Sequence, residues 1–193
     1  MLMLSQRLLE KPVMSLQTGA EIAHTKQAII DPASLQIIGY YVESRVKKED
    51  ALILKTQDVR EVSHVGLIVD SIDEILPEGD LLRIKEITKL HFELMGMQVI
   101  DEKKHKLGKI VNYGIDPRSF MIHQLHVKQP ILKSFHVAEV LINRTQIVEI
   151  NDDEIIVKEA SVREAEKSQI PITSNADFIN PFRNPQAENK ELR

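Results

Sequence analysis

The chain states one pattern twice. Ile30-Asp31-Pro32-Ala33-Ser34-Leu35-Gln36-Ile37 returns as Ile115-Asp116-Pro117-Arg118-Ser119-Phe120-Met121-Ile122, shifted by 85 positions (116 − 31). A second block follows in each copy. Ile53-Leu54-Lys55-Thr56-Gln57-Asp58-Val59-Arg60-Glu61-Val62 aligns with Leu141-Ile142-Asn143-Arg144-Thr145-Gln146-Ile147-Val148-Glu149-Ile150 at a shift of 88 (149 − 61). The second copy therefore carries three extra residues between its blocks. A duplication of this kind divides one chain into two small units that must share a fold. Each has roughly 65 to 75 residues, a size at which one hydrophobic core is marginal, so the units are expected to lean on one another.

The periodicity within each copy is that of β-structure. Val13-Met14-Ser15-Leu16 enters a turn at Gln17-Thr18-Gly19-Ala20, and Glu21-Ile22-Ala23 leaves it. Met97-Gln98-Val99-Ile100-Asp101 and Lys106-Leu107-Gly108-Lys109-Ile110-Val111 flank the matching turn. Short apolar runs separated by polar or glycine residues are hairpin signals. Asp31-Pro32 and Asp116-Pro117 each predict a strand-to-strand turn, because proline lacks the ladder donor and extends its predecessor. Strands resume over Leu35–Val42 and Phe120–Val127. Gly66–Val69 and Glu154–Val157 close each copy as a last hairpin strand. Ser71-Ile72-Asp73-Glu74 and Ser161-Val162-Arg163-Glu164 have the spacing of a helix capping box, predicting a helical turn or a short helix at the end of each unit.

Between the copies, Pro77-Glu78-Gly79-Asp80 is a loop signal, and Ile84, Ile87, Leu90 and Leu94 recur as one face of a connecting helix, with a strand as the alternative that the β-branched Ile84 and Ile87 leave open. After about residue 168 the chain turns polar and carries three prolines, which predicts a flexible tail. The expected organisation is thus a first domain over 8–76, a connecting loop and helix over 77–93, a second domain over 94–167 and the tail over 168–193.

Composition narrows the function classes. With no cysteine, disulfides, thiolate catalysis and cysteine-ligated metals are excluded, and a reducing cytoplasm is the expected location. A net charge of −4 argues against non-specific nucleic-acid binding, which rests on phosphate neutralisation. The opening segment is broken by Arg7, so a signal peptide is not expected, and no stretch has the length of a membrane span.

Leu8-Leu9-Glu10-Lys11-Pro12-Val13-Met14-Ser15 with Thr18-Gly19 resembles the start of a PRC-barrel domain. So does Gly96-Met97-Gln98-Val99-Ile100-Asp101 followed by Leu107-Gly108-Lys109-Ile110. Gln57-Asp58-Val59-Arg60-Glu61-Val62 resembles the bent segment before that family's last hairpin. The first copy departs from the pattern at Ala23, where the second has Gly108. The resemblance covers roughly residues 8–76 and 94–165. It implies a mainly β protein of two small barrels in tandem, with a short connecting helix and short helices closing each barrel. It also implies a non-enzymatic docking module. The family includes the cytoplasmic end of a photosynthetic reaction-centre subunit and a domain of a bacterial small-subunit ribosome maturation factor. Neither specific role transfers, since the membrane helix of the one and the second domain type of the other have no counterpart here.

Candidate site residues are few. The seven histidines lack short-range ligand spacing, and His123 and His126 on one strand point to opposite faces, so no metal site is expected. Asp31, Asp58, Asp101 and Asp116 are better explained by turn chemistry than by acid–base work. Lys103, Lys104 and Lys106, with Lys109, form the most basic stretch. They read as a solvated hairpin tip or, as the alternative, a contact to an acidic partner or RNA phosphate. Alternation places one of Tyr40 and Tyr41 in the core. Phe178 and Phe182 are apolar residues in the polar tail, suited to docking on the chain's own barrels or on a partner. The expected function is a protein–protein adaptor or assembly factor without catalysis or cofactor. A ribosome- or RNA-associated maturation factor is the first alternative. A small-molecule or metal sensor using a cleft between the barrels is the second.

Overall fold

A computed structural model describes residues 1–129, 139–151 and 153–158. The expectations for the tail, for Phe178 and Phe182, and for the Ser161–Glu164 cap lie outside the described residues.

The strands are, in chain order, β1 (Met3–Leu4), β2 (Pro12–Ser15), β3 (Glu21–Asp31), β4 (Gln36–Ser44), β5 (Leu52–Lys55), β6 (Glu61–Val62), β7 (Leu67–Val69) and β8 (Ile75–Pro77). The single α-helix among the described residues, α1 (Leu82–Thr88), follows. Then come β9 (Gln98–Asp101), β10 (Lys106–Ile115), β11 (Ile122–Lys128), β12 (Glu139–Asn143), β13 (Ile147–Ile150) and β14 (Glu154–Val157). The protein is mainly β. Its strands form two sheets, ordered β6-β7-β2-β3-β4-β5-β8 and β13-β14-β9-β10-β11-β12. Apart from β8 at the edge of the first and β1, which pairs with β10 in the second, the order is the same. Both sheets even share one parallel contact, β2 with β7 and β9 with β14.

The Asp-Pro turns behave as their chemistry dictates. Asp31 accepts hydrogen bonds from Ala33 N at 3.0 Å and Ser34 Oγ at 2.9 Å. Asp116 accepts from Arg118 N at 3.3 Å and Ser119 Oγ at 2.8 Å. Each loop ends on a bulky residue in the left-handed region, Leu35 at φ 45° and Phe120 at φ 55°. That conformation is unfavourable for a side chain with a Cβ. Here both side chains are buried, and both carbonyls accept hydrogen bonds from the opposite half. Ile37 N donates to Phe120 O at 3.0 Å, and Ile122 N donates to Leu35 O at 2.9 Å. Exchanging the copies turns one bond into the other, and the bridge between them joins Gln36 to its own equivalent, Met121. The two sheets therefore meet about a local two-fold axis.

One buried cluster draws on both halves, from Leu8, Val13, Ile37 and Leu54 to Val99, Ile122, Leu125 and Ile142. Full burial of such a side chain is worth about 1.5–3 kcal/mol. Tyr40 belongs to this core, with its ring edge against Phe120 at 6.4 Å between centroids. Its neighbour Tyr41 faces the other way, into a smaller cluster where Ile29, Ile53 and Ile84 pack α1 onto the outer face of β3–β5. The connecting helix is shorter than the sequence pattern suggests. Ile84 is buried in that cluster and Ile87 packs against it, but Leu90 is exposed beyond the helix end and Leu94 enters the main core instead. At Ser71 a 3-10 turn forms, and the serine Oγ accepts from Asp73 N rather than from the third residue of a capping box.

Gly108 differs from Ala23 for a steric reason. Its φ is 144°, and a Cβ placed there would lie 2.2 Å from the Lys128 carbonyl oxygen. Ala23 flanks the corresponding register shift in the β2–β3 pairing but does not take a positive φ there, so its Cβ is tolerated. Replacing Gly108 with alanine is expected to destabilise the protein by about 2 kcal/mol or more, since both the backbone conformation and the strand approach must change. Gly79→Ala, where nothing lies within 4 Å, should stay within about 0.5 kcal/mol. Urea unfolding of the two variants against the parent checks this.

Candidate interaction surface

The turn between β9 and β10 is organised by one carboxylate. Asp101 is buried, with 4% of its surface exposed. Its Oδ1 accepts from Lys103 N and from His105 N, both at 2.8 Å, and its Oδ2 lies 2.8 Å from His105 Nδ1. Lys104 N donates to the Asp101 carbonyl at 2.9 Å, closing the turn. Burial acts to raise the Asp101 pKa, but the hydrogen bonds from His105 and Lys103 outweigh it and hold the carboxyl below its ordinary value. Lys103, Lys104 and Lys106 are thereby fixed on an ordered tip and are all exposed.

The β10 strand carries the basic character away from the tip. A register shift lies between Lys106 and Gly108. One extra residue in a strand returns positions three apart to the same face. Accordingly Leu107 and Ile110 are both buried, while Lys106 and Lys109 are both exposed. Lys109 is directly opposite Lys128 of β11, which is exposed as well. Glu139 is opposite Lys128 on its other side, but the Glu139 carboxylate lies 2.5 Å from His126 Nδ1. Among the described residues, Lys104, Lys106, Lys109 and Lys128 make no ion pair.

The equivalent surface of the first half has the opposite composition. By the 85-residue shift, Glu21, His24, Lys26 and Glu43 stand where the second half has Lys106, Lys109, Val111 and Lys128. The registers agree, since His24 is opposite Glu43 as Lys109 is opposite Lys128. Here charges are matched. Lys26 Nζ lies 2.8 Å from Glu43 and 3.0 Å from Glu10, and His24 Nδ1 lies 3.5 Å from Glu21. The hydrogen bond to Lys26 is the main reason that the Glu43 carboxyl is held below its ordinary value.

The outer faces diverge further along. Ile29, Ile38, Tyr41 and Ile53, which receive α1, correspond to Gly114, His123, His126 and Leu141. His123 and Leu141 are exposed, and the register shift at His123 brings that residue to the same face as His126, against the expected opposite faces, so this part of the second half is a mixed polar face where the first half is sealed by a helix. His105 meets Asp101 and His126 meets Glu139, each as a pair. Asp58 pairs with Lys55 at 2.9 Å.

Several clefts flank the linker. One of about 430 Å³ is lined by Gln27, Tyr41, Thr88, His91 and Glu93, and the Tyr41 hydroxyl donates to Glu78 beside it at 3.1 Å. Another of about 280 Å³ lies between the halves, lined by Leu9, Lys26, Phe92, Met95 and Tyr113. Burial pushes the Tyr113 hydroxyl up to about 12, against a lowering hydrogen bond with Ser5. Sequence reasoning found the lysine tip but missed Lys128, because only the strand register brings it beside Lys109. Shifting the known repeat by 85 and comparing charges would have found the reversal.

Compared with known proteins, the chain matches no family model and no curated sequence.

Because the folded pKa of Asp101 is depressed, its contribution to stability is present above the unfolded carboxylate pKa and is lost as pH falls through the folded value. The thermal midpoint should therefore fall as pH drops from about 5 toward 2, and Asp101→Asn should flatten that limb. Midpoints measured across this range for the parent and the variant check it, with equal slopes counting against the assignment.

Proposed function

We propose that this protein is a non-enzymatic adaptor or assembly factor acting in the cytoplasm, built from two PRC-barrel-like units that bind a protein partner. The observation that carries this reading is the divergence of equivalent outer faces. One strand order is built twice and joined through a common core, yet one copy's face is charge-matched and helix-covered and the other's is basic. Two copies with different faces suit a protein that holds a partner in one orientation. The resemblance in the turn and strand motifs supports the same reading. The finer division into domains over 8–76 and 94–167 follows from it.

Affinity capture with the full chain, followed by mass spectrometry, tests this. A protein partner should be retained reproducibly and released by salt. Turnover of a small metabolite by a preparation that retains no protein would overturn the reading.

A ligand-sensing role is the second reading, favoured by the cleft of about 280 Å³ between the halves. It predicts that a metal ion or common nucleotide raises the unfolding midpoint, because a ligand bound only to the folded state must stabilise it. Thermal shift across those two classes decides it, and an unchanged midpoint throughout removes this reading.

A further inference from the structure

We infer that the outer face formed by the β9–β10 turn and strands β10 and β11 is a docking surface for an acidic segment of a partner protein. The inference rests on the adaptor reading and specifies its contact. Three features of the face run against local stability, and the first half avoids each one.

The first is at the turn. Lys104 takes φ 66°, and its equivalent by the 85-residue shift is Gly19 at φ 65°. The left-handed conformation is free of a Cβ penalty for glycine and unfavourable for lysine. Asp101 holds the turn in this form by the three contacts from Lys103 and His105. The second is cross-strand. Like charges directly opposite in an antiparallel pair are destabilising, and Lys109 opposite Lys128 is such a pair. The matching pair in the first half is His24 and Glu43. The third is the missing counter-ion. Where Lys26 neutralises Glu43 and Glu10, the second half has Val111, and no carboxylate among the described residues pairs with Lys106, Lys109 or Lys128. Unfavourable features gathered on one face of a rigid sheet are what a binding surface looks like when its partner supplies the missing charge.

The chemistry favours an acidic protein segment over nucleic acid. The basic stretch is short, bounded by Glu102 at the turn and by Glu139 at the β12 side. A continuous polyanion would have to pass one of these carboxylates, and the net charge of −4 repels it at longer range. An extended peptide projects side chains to one face about every 7 Å, so two or three carboxylates can meet Lys106, Lys109 and Lys128 without reaching either glutamate.

The test uses the full chain and a fluorescently labelled glutamate-rich peptide, read by anisotropy at low ionic strength. The double variant Lys106→Glu/Lys128→Glu installs the residues that the first half carries at Glu21 and Glu43. It should weaken peptide binding by about tenfold or more, while the unfolding midpoint changes little, because the substitution at Lys128 removes the repulsion with Lys109 but sets a carboxylate opposite Glu139. The same peptide with glutamine for glutamate should not bind. Equal binding by parent and variant, equal binding of the glutamine peptide, or tighter binding of a single-stranded RNA of matched charge overturns the inference. The adaptor reading is judged separately. If the parent chain captures a partner and the double variant captures it equally, the adaptor stands and this face is not its contact. If the parent captures none, the adaptor reading falls whatever the peptide does.

Discussion

The structure depends on a reciprocal pair of hydrogen bonds, from Ile37 N to Phe120 O and from Ile122 N to Leu35 O. Each bond uses the carbonyl of a residue held in a left-handed conformation, and each of those residues buries a large side chain. Neither half could adopt this geometry cheaply alone, because the carbonyl would lack its partner and the side chain its core. The halves are thus mutually required. Arg144 adds an asymmetric tie, donating from Nη1 to Ser34 O at 2.6 Å, where its first-half equivalent Thr56 bonds to Ile37 O within its own half.

This mutual dependence explains why a unit of this size can persist. A sheet of a few short strands covers little apolar area by itself, and a common core lets each half bury its inner face against the other. Tyr40 and Phe120 meet across that boundary, and Tyr40 keeps a buried hydroxyl with no hydrogen-bond partner among the described residues. Burial raises its pKa strongly, so the hydroxyl stays neutral and its cost is that of an unpaired dipole rather than of a charge.

Much of this was legible in the chain. The Asp-Pro turns could be read because their chemistry is local: an aspartate, a proline and a serine three residues on are enough to close the loop. The longer strands followed from the apolar runs, but their ends did not: Leu35 and Phe120, expected to open strands, close the turns instead, and the strands run over Gln36–Ser44 and Ile122–Lys128. What could not be read was set by distance. Leu90 fits the helical face on paper, yet the chain turns away at His91, φ 50°, and sends Leu94 into the main core. The pairing of β1 with β10, and of β8 with β5, joins segments far apart in the chain, and two- or three-residue strands carry almost no periodic signal. The lysine tip was visible because its residues fall within four positions of one another. Lys128 was not, because its membership of the same face comes from register alone.

The two copies also show where a duplicated fold is free to change. Inward positions are held: Val13 and Val99, Ile37 and Ile122, Leu54 and Ile142 are all fully or almost fully buried at matching places in the sheets. Outward positions are not held, and they have moved in opposite directions. In the first half they recruit α1 and pair their charges, so the outer face is completed from within the chain. In the second half the same positions collect lysines and place two of them opposite each other. If outward residues only had to be soluble, mixed charge would serve both halves equally well, because surface substitutions away from special features are nearly neutral. An arrangement that repeats one sign at adjacent positions, on a turn already strained at Lys104, is less stable than the alternative that the same chain carries in its other half. Among the described residues nothing offsets this arrangement, and the acidic partner inferred above is what would.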